Sequence, residues 1–301
     1  MKSWLAAARP RTLPLALASI ILGSFLAAAA GRFSPAISAL AALTTIFLQI
    51  LSNFANDYGD AVSGKDTPDR VGPRRAVATG LITKEAMFRG MVVTGLLALV
   101  SGIALLVVAF QDASSQVFWV FLALGLVCIA AAIAYTNGKR PYGYSGFGDM
   151  AVLIFFGWVG VLGTYFLHTL SFDPWLLLPA SSVGFLATGV LNINNIRDIE
   201  TDARTGKYSI PVRLGRQRAI GYHWLLLLGG MTCAVLFAWL YGAITTPYRW
   251  LFVLAFPLFF LNGRAVAGHR QATELNPRLG QLALSTLVFV LLWGIGMVIS
   301  V

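Results

Sequence analysis

Asn53, Asn56, Asp57 and Asp60 fall at helical spacings of three and four, the first pair leading the second, in LSNFANDYGDAVSGKDTPD, the stretch Leu51 to Asp69. If the apolar helix before them runs on through this stretch, the four share one face. A second set, Asn194, Asn195, Asp198 and Asp202, recurs in NINNIRDIETD. In each set two carboxylates lie about one helical turn apart, a like-charge arrangement that weakens a helix by a few tenths of a kcal/mol. A divalent cation reverses that penalty. Mg2+ suits the pattern because it takes one or two carboxylates and completes its shell with phosphate oxygens and water. The plainer reading is that the acids decorate helix ends at the headgroup level. Asparagines at matched positions in both sets argue for function, since polar groups inside a membrane are costly and tolerable mainly beside a cavity.

Cations accompany both sets. Lys65, Arg70, Arg74 and Arg75 follow the first, Arg197, Arg204 and Lys207 surround the second, and Lys139 and Arg140 lie between them. Such residues beside metal-binding acids suit a diphosphate, whose charge must be neutralised as it departs. Loops on the cytoplasmic side of any membrane protein are also basic, so both readings stand for each Lys and Arg. Tyr135, Tyr142 and Tyr144 cluster in YTNGKRPYGYSGFGD, either as interfacial anchors or as cavity walls. Asp149, which closes that segment, reads as a base or a helix cap.

The elements that must position these groups are membrane helices. Hydrophobic residues make up 57% of the 301-residue chain and charged residues 11%, against about 25% charged in soluble domains. A span needs roughly 20 apolar residues. Nine runs approach that length, near Leu13–Ala30, Pro35–Phe54, Phe88–Phe110, Val117–Tyr135 and Met150–Leu170, then Trp175–Ile193, Ile220–Ile244, Trp250–Leu261 and Leu282–Val301. The first exceeds a usual signal-peptide core and begins with Pro10 and Pro14, so it is expected to remain as a helix. The residues around Trp4 read as a short interfacial helix. Cys128 and Cys233 sit inside apolar runs as small core residues.

With nine spans, every Lys and Arg except Arg32 and Arg249 falls in the N-terminus or the even connections. The positive-inside rule then puts the N-terminus in the cytoplasm and the C-terminus outside. The carboxylates follow, with only Asp112 and Asp173 on the far side. The two acidic stretches occupy long connections, which usually carry function. The whole of 1–301 reads as one domain. A loose echo between Leu51–Lys65 and Leu191–Lys207 points to related halves, about 1–145 and 146–301, facing each other across a cavity. No nucleic-acid partner is expected.

Three segments, ARPRTLPLALASIILG at Ala8–Gly23, NDYGDAVSGKDTPDRVGP at Asn56–Pro73 and NNIRDIETD at Asn194–Asp202, resemble the UbiA superfamily of intramembrane prenyltransferases. With the spans, the resemblance covers nearly the whole chain. Within the superfamily the motifs are most similar to enzymes that act on 1,4-dihydroxy-2-naphthoate in menaquinone synthesis. The resemblance implies an all-α integral membrane protein of nine transmembrane helices around a central cavity, open sideways to lipid and capped by helical cytoplasmic loops. It implies Mg2+-dependent transfer of a polyprenyl group from polyprenyl diphosphate to the naphthoate, with loss of diphosphate and CO2. Asp57, Asp60, Asp198 and Asp202 would then hold Mg2+, with Asp66 as a further candidate. Arg197, Lys207, Lys139 and Arg140 would stabilise the departing diphosphate. Lys65, Asn53, Asn56, Asn194, Asn195 and the three tyrosines would contact substrate. One departure concerns Asp66, which lies six residues after Asp60 where the superfamily often places its third acid four residues on. Another aromatic acceptor, such as 4-hydroxybenzoate or homogentisate, would use the same metal chemistry. A secondary transporter is the rival of another class, although no span carries a charge at its middle.

Overall fold

A computed structural model describes residues 1–67, 71–111, 114–241 and 246–300; Asp69, Arg70 and Asp112 lie outside the described residues. Among the described residues, nine helices are long and apolar enough to cross a membrane. They are Lys2–Ala29, Pro35–Val62, Lys84–Ala109, Ser115–Ala134, Gly148–Thr169, Pro174–Arg197, Arg216–Leu240, Pro247–Ala267 and Ala272–Val298. This is the expected all-α membrane architecture, and the protein is a multi-pass membrane protein.

Local chemistry sets the limits of these helices. Ser34 caps the second, accepting from the backbone N–H of Ile37 with Pro35 at the first helical position. Thr83 caps the third through the N–H of Ala86. The second helix runs well past the apolar segment to Val62, so Asn53 through Asp60 are helical. The first stretch is broken at Arg9, whose φ of 51° lies in the left-handed region; it separates the short helix Lys2–Ala8 from Leu13–Ala29. The eighth span is longer than its apolar run. It opens with a 3-10 segment, Pro247–Ala255, which rises faster per residue. It also buries Asn262, whose amide donates to the carbonyl of Arg278 at 3.0 Å.

The helices do not contribute equally to the cavity. Its walls come from the first six spans, with Leu279 added from the ninth. The last three spans buttress these walls through an apolar core in which Phe252, Phe259, Phe289 and Trp293 are fully buried. The fourth span buries none of its residues. It packs on the second and third, and its other flank faces the cavity and lipid. The fifth span passes through a π-helical stretch, Leu153–Leu162, where the Ser19 hydroxyl donates to the carbonyl of Phe156.

Span five meets span six where a β-carbon on Gly157 would stand 2.6 Å from the carbonyl oxygen of Ala180. Overpacking a close contact of this kind costs about 1–3 kcal/mol. Gly157→Leu is therefore expected to lower Tm in detergent. Gly125→Ala, where a β-carbon meets nothing within 4 Å, is expected to leave it unchanged. Equal melting of the two variants would contradict this packing.

Candidate active site

Asp60, near the end of the second span, is fully buried, and an isolated carboxylate there would be untenable. Three loops supply its partners. Arg75, from the connection after the second span, forms an ion pair with Oδ2. Tyr144, between the fourth and fifth spans, donates its hydroxyl to Oδ1. Lys207, after the sixth span, donates Nζ to Oδ2 at 3.0 Å. Gly206, with a φ of 73°, ends the short helix Ile199–Thr205. That turn, natural for glycine, brings Lys207 back over the site. Burial opposes the charge of Arg75, but Asp60, Asp66 and Asp57 more than offset it and hold its pKa above the ordinary value. Burial, followed by the charge of Asp60, raises the Tyr144 phenol. Burial also pushes Tyr142 up to about 12. Both phenols are therefore neutral donors at physiological pH.

The neighbouring acids divide by partner. Asp57 accepts the backbone N–H groups of Ala76 and Val77 at 3.0 and 3.1 Å, anchoring the loop that carries Arg75. Asp66 forms an ion pair with Nε of Arg75 at 3.2 Å, and Arg75 also donates to the carbonyl of Asn56. Asp198 receives two bonds from Arg197, at 2.8 and 2.7 Å. Arg197 is fixed in turn by Asn194 at 2.8 Å and Asn276 at 3.0 Å. Asp202 lies 3.9 Å from Nζ of Lys207.

A cavity of about 480 Å³ runs from this cluster into the membrane. Asp60, Asp198, Asp202, Arg75 and Lys207 line its loop end, together with Asn56, Asn194, Asn195, Tyr135, Tyr142 and Tyr144. Gln49, Ser52 and Asn53 follow, and the far end is walled by Leu105, Leu106, Phe121 and Leu167. Along the second span the lining extends from Asp60 to Ala41, about 28 Å at the helical rise and close to the hydrocarbon thickness of a bilayer.

The other expected site residues stand outside this lining. Asp57 and Asp66 hold the first loop, as above. Arg197 is buried behind Asp198. Lys65 bonds the carbonyl of Thr205, tying one loop to another. Asp149 is buried and faces Tyr222. Lys139 and Arg140 are exposed. Asn53 lines the cavity, but its amide is committed to Ala8 and Thr12. Among the cavity's cations, two were not singled out for the site. Arg75 looked no different in sequence from Arg74, which is exposed, and Arg9 counted only toward topology.

Asp60, Asp198 and Asp202 offer hard oxygen donors at one end of the cavity. Among the described residues, no three His, Cys, Asp or Glu side chains converge to hold an ion by themselves. That donor set fits an ion that shares its shell with a phosphate, as Mg2+ does, better than a cage made of protein alone.

The model of the UbiA prenyltransferase family matches residues 16–287. The chain belongs to this family. This UbiA-family chain is 45% identical over 299 residues to a 1,4-dihydroxy-2-naphthoate octaprenyltransferase of Escherichia coli (strain K12), covering 99% of this chain and 96% of that one. It is 44% identical to the enzyme of the same description from Haemophilus influenzae (strain ATCC 51907 / DSM 11121 / KW20 / Rd), covering 100% and 97%. The UbiA fold is shared with solved structures of far lower identity. A UbiA homolog from Aeropyrum pernix K1 superposes with a TM-score of 0.66 at 18% identity, covering 96% of each chain. One from Archaeoglobus fulgidus bound to DMAPP and Mg2+ gives 0.62 at 16%, covering 99% and 100%.

Asp57→Asn retains one acceptor oxygen for two backbone donors, a loss of about 1–3 kcal/mol. Limited proteolysis of the variant is expected to cut faster within residues 71–82. An unchanged cutting rate would place the loop's anchor elsewhere.

Proposed function

We propose that the protein transfers a polyprenyl group from polyprenyl diphosphate to 1,4-dihydroxy-2-naphthoate, releasing diphosphate and CO2, in menaquinone biosynthesis. The observation that carries this reading is the form of the cavity. Acids and cations gather at one end, and the remainder is an apolar shaft nearly as long as a bilayer's core. Similarity along the whole chain to naphthoate octaprenyltransferases selects the acceptor. Asp60, Asp198 and Asp202 would hold Mg2+, which supplies charge neutralisation for the diphosphate. Asp57 and Asp66 support the loop that carries Arg75.

The prenyl tail lies along the shaft with its diphosphate under the loops. Arg75 and Lys207 stabilise charge as the allylic carbon–oxygen bond breaks and both electrons leave with the diphosphate. Tyr135, Tyr142 and the apolar walls exclude water and present aromatic faces to the allylic cation. The ring carbon bearing the carboxylate attacks that cation. The bond to CO2 then breaks, and its electron pair restores the aromatic ring. No proton leaves the attacked carbon, so this route needs no base at the position of Asp149. The basic end faces the cytoplasm, with the N-terminus inside and the C-terminus outside the cytoplasmic membrane, because all basic residues but Arg32 and Arg249 lie on that side.

The test is an assay in membranes with Mg2+, a long polyprenyl diphosphate and the naphthoate, with products followed by mass. The expected product is a prenylated naphthoquinol lighter by CO2. Asp60→Ala and Asp198→Ala are expected to lose at least about 100-fold in kcat, the scale of losing one preorganised charge-stabilising group. Diphosphate release with transfer only to another aromatic would overturn the acceptor. Equal activity in wild type and both variants would overturn the site.

A further inference from the structure

Below the charged mouth, the second span turns a polar stripe toward the cavity. Asn56, Ser52, Gln49 and Thr45, three or four residues apart, all line it. Other hydroxyls within the spans find partners inside the protein. Thr94, Ser101, Thr164, Thr188 and Thr286 each donate to the carbonyl four residues back. Ser52 and Thr45 make no hydrogen bond among the described residues. Gln49 is costlier still to leave facing an apolar shaft, since an amide carries two donors and an acceptor. Its orientation is decided by its neighbour. The Asn53 amide donates to the carbonyl of Ala8 at 2.8 Å and to the Thr12 hydroxyl at 3.2 Å, which leaves Oδ1 to accept. Nε2 of Gln49 donates to that oxygen in a long bond of 3.5 Å. Oε1 of Gln49 is then an acceptor with no donor among the described residues. A prenyl chain has no hydrogen to offer it, whereas a phenol has.

We propose, resting on the transfer reaction above, that Gln49 accepts a hydrogen bond from the 4-hydroxyl of the acceptor. Ser52 serves the 1-hydroxyl one turn nearer the mouth. The two oxygens of a para-diol stand across one six-membered ring, about the 5–6 Å between Cβ atoms one turn apart on a helix. Depth agrees as well. Ser52 and Gln49 lie eight and eleven residues from Asp60, about 12 and 16 Å down the span, below the space that the diphosphate and its metal require. The 1-hydroxyl can bond the carboxylate beside it, but the 4-hydroxyl has no internal partner and must find one in the protein. With the attacked carbon turned toward the diphosphate, the 4-hydroxyl points down the shaft, toward the deeper Gln49. This contact is remote from the bond that forms, so it is the same in bound substrate and transition state and acts on KM rather than kcat. It also selects the reduced ring, because a quinone oxygen has no hydrogen to donate.

Gln49→Met keeps the length of the side chain without its polar atoms. In the membrane assay it is expected to raise KM for 1,4-dihydroxy-2-naphthoate about tenfold, the scale of one lost hydrogen bond. Its kcat and its KM for polyprenyl diphosphate are expected to stay as in wild type. Competition by 1-hydroxy-2-naphthoate, which lacks the 4-hydroxyl, is expected to be equal in wild type and Gln49→Met. Ser52→Ala is expected to weaken both compounds, since both keep the 1-hydroxyl. Thr45→Val, one turn deeper than Gln49, is expected to leave the acceptor KM unchanged. An unchanged acceptor KM in Gln49→Met, or equal weakening toward the two compounds, would overturn the assignment of Gln49. A rise in Thr45→Val as large as in Gln49→Met would also overturn it, by placing the ring deeper. A wild type that makes no naphthoate product would instead overturn the reaction on which it rests.

Discussion

The structure depends on the burial of one carboxylate. Asp60 is removed from water at the end of a membrane helix, where only charge pairing and hydrogen bonding make its ionised form tolerable. Its partners, Arg75, Tyr144 and Lys207, come from three separate connections. Three connections far apart in the chain are thereby gathered over one end of the bundle. Two more bonds run directly between loops: Lys65 to the carbonyl of Thr205, and the N–H of Tyr208 to the carbonyl of Tyr144 at 2.8 Å.

This gathering explains how an apolar shaft acquires a polar mouth. Acids and bases are stored there as mutual partners, so the site carries little uncompensated charge before substrate arrives. A diphosphate with its metal offers each group a replacement, anion for Arg75 and Lys207 and cation for the carboxylates. The exchange conserves charge pairing while converting a closed cluster into a substrate complex. The rest of the cavity contributes length and dryness, for which the composition of the first six spans is sufficient.

Much of this was legible in the sequence because hydropathy and charge act over whole segments. The spans, the helical continuation through Asn53–Asp60 and the gathering of Asp60, Asp198 and Asp202 follow from run length, spacing and residue type, whereas Lys207 was singled out only through the resemblance to the family. The roles of Asp57 and Asp60 did not separate on those grounds. Three residues apart, they lie on nearly one helix face, and only the docking of Ala76 and Val77 onto Asp57 turns it to support. The same holds for Arg74 against Arg75 and for Lys139 and Arg140 against Lys207, since loop docking decides which cation faces inward. Asn53 resembled a ligand because nothing local to it announces the corner at Arg9. The buttressing role of the last three spans was hidden too, because a helix packed on protein and one facing lipid are equally apolar.

The most direct measurement is hydrogen–deuterium exchange of wild type and Asp60→Asn in detergent, followed at residues 71–82, 142–146 and 203–209. If Asp60 is the common tie, all three segments are expected to lose protection together in the variant, although more than a hundred residues separate the first from the last. Loss confined to one segment, or protection unchanged throughout, would contradict the account.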